Sequence, residues 1–215
     1  VSAAANLTTS SSSADATSYT SASIAPTGNR LVLAWVDSGV AGATPNAPTL
    51  SGNGLTWVQV ATNHYDSVGA QDNRLTLFRA MGASPSSGAV TIDFSSQTQF
   101  ACAWSIVEFS DVDTSGSHGA GAIVQSVTAS VNSTSISAAL AGFVDTKNRP
   151  AMGVGSQTAD AITPKSGFTE LGESQSSGAR IESAWKSDGV DTAPSASWSS
   201  SARAGAIAVE IKQGS

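Results

Sequence analysis

Four aspartates come in two close pairs, Asp111-Val112-Asp113 at the end of an apolar run and Asp188-Gly189-Val190-Asp191 in a later turn. Turn carboxylates backed by main-chain carbonyls are the donor set from which calcium collects about six to eight oxygens. Asp66 and Asp72 flank a third, Gly-containing loop. Aspartate also builds turns by bonding nearby backbone amides, and that ordinary role stands ahead of the metal in this chain. Two further acids, Glu108 and Glu210, sit in matching settings, Val107-Glu108-Phe109 and Val209-Glu210-Ile211. Glycoside hydrolysis needs two carboxyls a few ångströms apart across a cleft, and neither glutamate has a second acid two residues away on its strand. They read as outward-facing or hydrogen-bonded structural residues. The histidines, His64 and His118, fall in turn-like segments. His64-Tyr65-Asp66 has no nucleophile fixed beside it, and there is no Gly-x-Ser-x-Gly, His-Glu-x-x-His or phosphate-cradling glycine loop. The expectation is a chain that is not an enzyme and needs no cofactor, calcium being the single candidate.

Tryptophans suggest different chemistry. Exposed indoles stack on sugar faces, and Trp57 and Trp198 are the candidates for that use, although core packing is the default for any one tryptophan. Along 101–109, Ser105, Val107 and Phe109 share one face, while Cys102, Trp104, Ile106 and Glu108 share the other. The run Leu31 to Val36 is likewise apolar on both faces. A sheet apolar on both sides must cover its second face with a loop, another layer or a neighbouring subunit. Trp104 and Ile106 are therefore candidate interface residues.

These groups need strands to carry them. Val90, Ile92 and Phe94 alternate with polar residues. Further candidates are 55–61, 74–80, 101–109, 123–127, 151–156, 168–174, 180–186, 195–198 and 204–212. Gly- and Pro-rich breakers separate them, as around Pro45, Gly52, Gly82 and Gly116, and no helical pattern stands out. Many short strands in 215 residues argue for a single all-β, antiparallel sandwich of jelly-roll-like type. Residues 1–16 form an arm ahead of a domain spanning 17–215. The arm is low in complexity, yet Ala3, Ala5 and Leu7 alternate with their neighbours, as an edge strand would. Backbone entropy of about 1–2 kcal/mol per ordered residue exceeds what so small a set of side chains returns. The arm is thus expected to hydrogen-bond along a sheet edge, on a neighbouring subunit by preference.

The second half reads as a copy of the first. Asn29-Arg30-Leu31 is echoed by Asn148-Arg149-Pro150, Gly54-Leu55-Thr56 by Gly167-Phe168-Thr169, and Arg74-Leu75 by Arg180-Ile181. The order of landmarks is preserved, which points to an internal duplication with pseudo-repeats at about 17–110 and 130–212.

Charged residues make up 12% of the chain and the net charge is −6, with polarity supplied by serine and threonine. Such surfaces lose little side-chain entropy or ion solvation on contact. The absence of a basic stripe makes nucleic acid a poor partner, and no apolar run approaches a membrane span of about 20 residues. The chain begins at Val1, which fits removal of either a leader or an initiator methionine.

Ser18-Tyr19-Thr20, Asn29 to Leu33, Gly54-Leu55-Thr56-Trp57, Arg74 to Arg79 and Ala103-Trp104-Ser105 resemble a group of Ser/Thr/Gly-rich β-sandwich proteins of phage virions and extracellular bacterial assemblies. The resemblance covers most of 17–212. It implies a jelly-roll-like or lectin-like sandwich in an extracellular or virion setting, and it carries over no catalytic or binding residue. The function expected is a structural subunit of a repetitive assembly, a capsid decoration or tail protein or an extracellular tube or filament. Its partners would be copies of itself or a virion shell. The alternative is a carbohydrate-binding, lectin-like module.

Overall fold

In the computed structural model, which describes residues 1–66 and 71–215, every strand pairing is antiparallel. The first half contributes β1 (Ala4–Ser12), β2 (Ser18–Thr20), β3 (Leu31–Ala41), β4 (Thr49–Ser51), β5 (Val58–Asp66), β6 (Gln71–Ala80), β7 (Thr91–Asp93) and β8 (Ala101–Phe109). The second contributes β9 (Ile123–Ser137), β10 (Arg149–Ser156), β11 (Thr163–Pro164), β12 (Thr169–Ser176), β13 (Ala179–Trp185) and β14 (Ser195–Ile211). A 3₁₀ turn at Ala120–Ala122 joins them, and among the described residues no helix is long and apolar enough to cross a membrane.

The molecule is an all-β sandwich of two large sheets. One runs β1-β8-β3-β6-β5 and the other β9-β14-β10-β13-β12. Each large sheet comes from one contiguous half of the chain, so strands do not alternate between the sheets as they do in a jelly roll. Numbered within its own half, each sheet has the order first, fifth, second, fourth, third. The sheets face each other in reversed order: β1 lies against β12, and β5 against β9.

Between them lies a shared core. Leu31, Leu33, Trp35, Leu75, Leu77, Val107 and Phe109 meet Ile181, Trp185, Ile207, Val209 and Ile211. The rings of Phe109 and Trp185 meet edge-on, 5.8 Å apart. Strands β3 and β8 are apolar on both faces because each large sheet also has an outer core. Over the first sheet, a small sheet β2-β7-β4 brings Tyr19, Ile92 and Leu50 down onto Val32, Ala34, Val36, Phe78, Trp104 and Ile106. Over the second, the far end of β9, the start of β14 and β11 form the matching cover. Ile136, Ala196, Ile162 and Trp198 there close over Met152, Val154, Ala206 and Ala208. The second cover is built by the large-sheet strands themselves, which run on past a register break between Ser197 and Ala202.

The arm is part of this scheme. β1 pairs along β8 of its own chain from Ala4↔Phe109 to Ser12↔Cys102, with one bulge at Leu7. In its sheet β1 holds the edge place that β9 holds in the other, so the arm is a strand of the sandwich.

Register also corrects the alignment of the halves. Glu108 pairs with Val32, and Glu210 with Pro150, so Arg30 corresponds to Asn148 and the Asn29/Asn148 echo is one residue out of step. Arg74 and Arg180 occupy matching register positions in their sheets, since Leu75 pairs with Asp37 and Ile181 with Gly155. β5 and β12 even carry their bulge at the same place, between Gln59 and Ala61 and between Glu170 and Gly172.

Candidate functional site

Asp111 and Asp113 do line one feature, an open groove of about 610 Å³ shared with Asn29, Thr114, Ser115 and Gln213. Their oxygens are already engaged there. The hydroxyls of Ser2 and Ser110 donate to Asp111 Oδ2, and these bonds hold its carboxyl below the usual range. Lys212 Nζ lies 2.6 Å from Asp113 Oδ2, and the Ser115 amide donates to Oδ1 at 2.7 Å. Led by the lysine, these contacts pull Asp113 down to about 2. In the other pair, burial works against ionisation of Asp191, but Lys165 at 2.8 Å and the Ala193 amide outweigh it and hold the carboxyl low. Asp188 lies in the adjacent exposed turn and makes no cluster with it. Among the described residues no three His, Cys, Asp or Glu side chains come together as a metal group. Asp111, Asp113 and Asp191 are engaged in hydrogen bonds and ion pairs within the chain. Asp66 ends β5, and its side chain lies outside the described residues; Asp72, across the hairpin, sits 3.9 Å from His64 Nε2. His118 occupies an exposed left-handed turn position.

The structural reading of Glu108 and Glu210 has a concrete form. Each lies on the outer face of its sheet and fastens the segment entering the second strand of its half. Glu108 accepts from the Thr27 amide and hydroxyl and from Arg30 at 2.7 Å. Glu210 accepts from Asn148 and Gln125, each at 2.6 Å.

The tryptophans named as sugar-stacking candidates lie against the outer cores. Trp198 is 6% exposed and belongs to the second outer core. Trp57 is half-buried against the first. Trp104 and Ile106 do face away from the shared core, as the alternation predicts, but the chain's own small sheet covers them. Trp104 is 4% exposed, with the Tyr19 ring 6.5 Å away, so neither side chain offers surface to a neighbouring subunit. Of the arm residues, Ala3 and Ala5 are exposed, and Leu7 tucks against the first outer core.

Strand edge is a further open polar surface. β9 runs for fifteen residues with no charged side chain and no proline, and among the described residues it pairs on one side, with β14. Its exposed positions alternate from Val124 through Ser126, Thr128, Ser130 and Asn132 to Thr134, with Ser135 and Ser137 exposed beyond them. The opposing sheet shields it at one point, where Asn63 Nδ2 donates to Ala129 O at 2.6 Å and Ser130 donates back to Asn63 Oδ1. β1 is a second uncharged edge, stitched to β12 by the Ser174–Ser11 hydroxyl pair at 3.0 Å.

Two acids that motif reasoning passed over lie deep in the fold. Asp37 sits between the sheets, accepts a 2.9 Å hydrogen bond from Tyr65, and is pushed well above the usual carboxylate range by burial. Glu182 is fully buried on the outer face of the second sheet, with neither carboxylate oxygen bonded within the chain. The signal in the sequence was an acid placed mid-strand among apolar residues, Ile181-Glu182-Ser183-Ala184-Trp185. Compared with protein-family models, curated proteins and solved structures, the chain matches none.

Proposed function

We propose that the protein is a non-enzymatic structural subunit of a repetitive extracellular or virion-surface assembly, joined to further copies of itself edge to edge through its sheets. The observation that carries this reading is β9: a fifteen-residue, one-sided, uncharged edge strand. Sheet edges of that length in monomeric proteins are ordinarily blunted by lysine, proline or a covering segment. Here, among the described residues, the blunting is Asn63 at one carbonyl, and Val124, 51% exposed, opens the strand. A second strand laid along β9 would satisfy its main-chain groups while desolvating hydroxyls rather than ions.

The test is solution mass against concentration, for the wild type and Thr128→Lys. Thr128 is exposed on β9, and a lysine there leaves the fold's contacts alone while placing charge on the edge. The wild type should form concentration-dependent higher species, and the variant should weaken that association by at least ~10-fold in Kd. A wild type that stays monomeric throughout would overturn the proposal.

We also infer that the halves descend from one duplicated unit. The support is the identical strand order of the two large sheets, the matched bulges and the equivalent Arg30–Glu108 and Asn148–Glu210 pairs.

A further inference from the structure

Glu182 lies at the middle of β13, opposite Val154 on β10 and directly opposite Glu173 on β12. Cross-strand partners on one face place their Cβ atoms about 4.5–5.5 Å apart. Glu173 is held by Arg180, whose Nη1 lies 2.6 Å from its Oε1, and the same oxygen accepts the Ile162 amide at 2.7 Å. Arg180 also donates to Ala159 O at 2.9 Å and Thr158 O at 3.3 Å. The Arg180–Glu173 pair therefore pins residues 157–162 as a strap across this face. Ile162 at the strap's end is buried against the second outer core.

The charged groups around Glu182 are few. β12 brings Glu170 and Glu173, and β13 brings Arg180, which is committed to Glu173 and the strap carbonyls. The strap brings Asp160, whose Oδ2 accepts the Ser200 amide at 2.6 Å. β10 presents neutral Met152, Val154 and Ser156 on this face. Nothing here compensates a carboxylate at Glu182. A buried carboxylate without partners costs several kcal/mol, and the relief open to it is water.

We propose that Glu182 is a proton-operated latch: protonated, it lies closed beneath the strap, and on ionising it drives residues 157–162 off the sheet and opens the second outer core to solvent. Burial, reinforced by the negative charges of Glu170 and Glu173, holds its carboxyl well above the ordinary value of 4.5 in the closed state. The closed state thus binds the proton more tightly than the open state. Closure is complete below the ordinary value and is lost as pH climbs through the raised one. Between the two, the opening constant rises about tenfold per pH unit.

Amide exchange across 157–163 of the intact protein, corrected for intrinsic rates between about pH 5 and about pH 9, reads the latch directly. Strap protection should fall by about tenfold per pH unit in the wild type over part of that range. It should stay flat in Glu182→Gln, and β8, whose opening also exposes Asp37, should remain better protected than the strap in both. A flat wild-type strap, or an unchanged slope in Glu182→Gln, overturns the proposal. If the variant misfolds, the wild type decides alone: a strap protected to the same degree as β8 at every pH would mean global opening and no latch.

Discussion

At the scale of single residues, the shared core solves a problem set by the reversed facing of its two sheets. Trp35 corresponds in register to Gly153, and it is against Gly153 that the indole packs, its Nε1 donating to Ile207 O at 3.2 Å. Asp37 likewise stands over its counterpart Gly155, where an added Cβ would come 2.6 Å from Oδ1. Positions of facing sheets that meet their own register equivalents cannot both be large, and here one of each pair is glycine. Gly153→Ala should therefore overpack the core and cost about 1–3 kcal/mol, read by denaturant unfolding. Glu108→Ala strips the acceptor from Thr27 and Arg30 and should cost about 1–3 kcal/mol in the same assay. Asp37 gives a pH signature. Burial raises its carboxyl against the opposing Tyr65 and Asn73 hydrogen bonds, so its contribution to stability is whole below the ordinary carboxylate value and drains as pH rises through the folded one. Asp37→Asn should gain on the wild type in melting temperature from about pH 4 to about pH 8; a constant gap would count against the buried-acid account. Because the oxygens of Asp111 and Asp113 are engaged within the chain, excess chelator should leave the melting temperature unmoved.

At the scale of elements, the arm separates two kinds of edge. β8 is buried at all nine positions, and β1 is its outer neighbour. Deleting residues 1–16 would turn a strand built for the interior into an edge. The truncated chain should lose soluble yield and bind a hydrophobic dye, rather than stay folded with assembly alone abolished; normal solubility would contradict this. The alternation of residues makes much of this legible in the sequence. The 101–109 strand, its two-faced character and the pointing of Trp104 away from the shared core all follow from a period of two. What covers Trp104 does not, because β2, β4 and β7 are three-residue strands whose partners lie up to 75 residues away. The alternation of β9 continues through Val127, Ala129 and Val131 to Ser137, but with small polar residues between them it stops looking like a strand at 127. Likewise 195–198 and 204–212 read as two strands because the register break between Ser197 and Ala202 interrupts the period. Sites were less legible still: the aspartate pairs attract attention as motifs, whereas Glu182 becomes notable only once the fold buries it.

At the scale of the whole molecule, each half supplies one wall of the shared core, and residues 110–122 connect the walls with little regular structure. Residues 1–116 and 117–215 produced as separate chains in one cell should find each other and copurify, while each alone should aggregate through its bare inner face. Failure to copurify, with both pieces soluble, would show that the halves do not depend on each other. The first-fifth-second-fourth-third strand order also has a consequence in time. β1 and β3 never touch as neighbours; β8 fills the place between them. On a ribosome adding about 5–20 residues per second, β1 waits roughly 5–20 s for residues 101–109 to emerge. β9 waits again for β14. The first strand made is thus among the last to find its place, twice over, and through each delay a partner from a neighbouring nascent chain competes with the proper one.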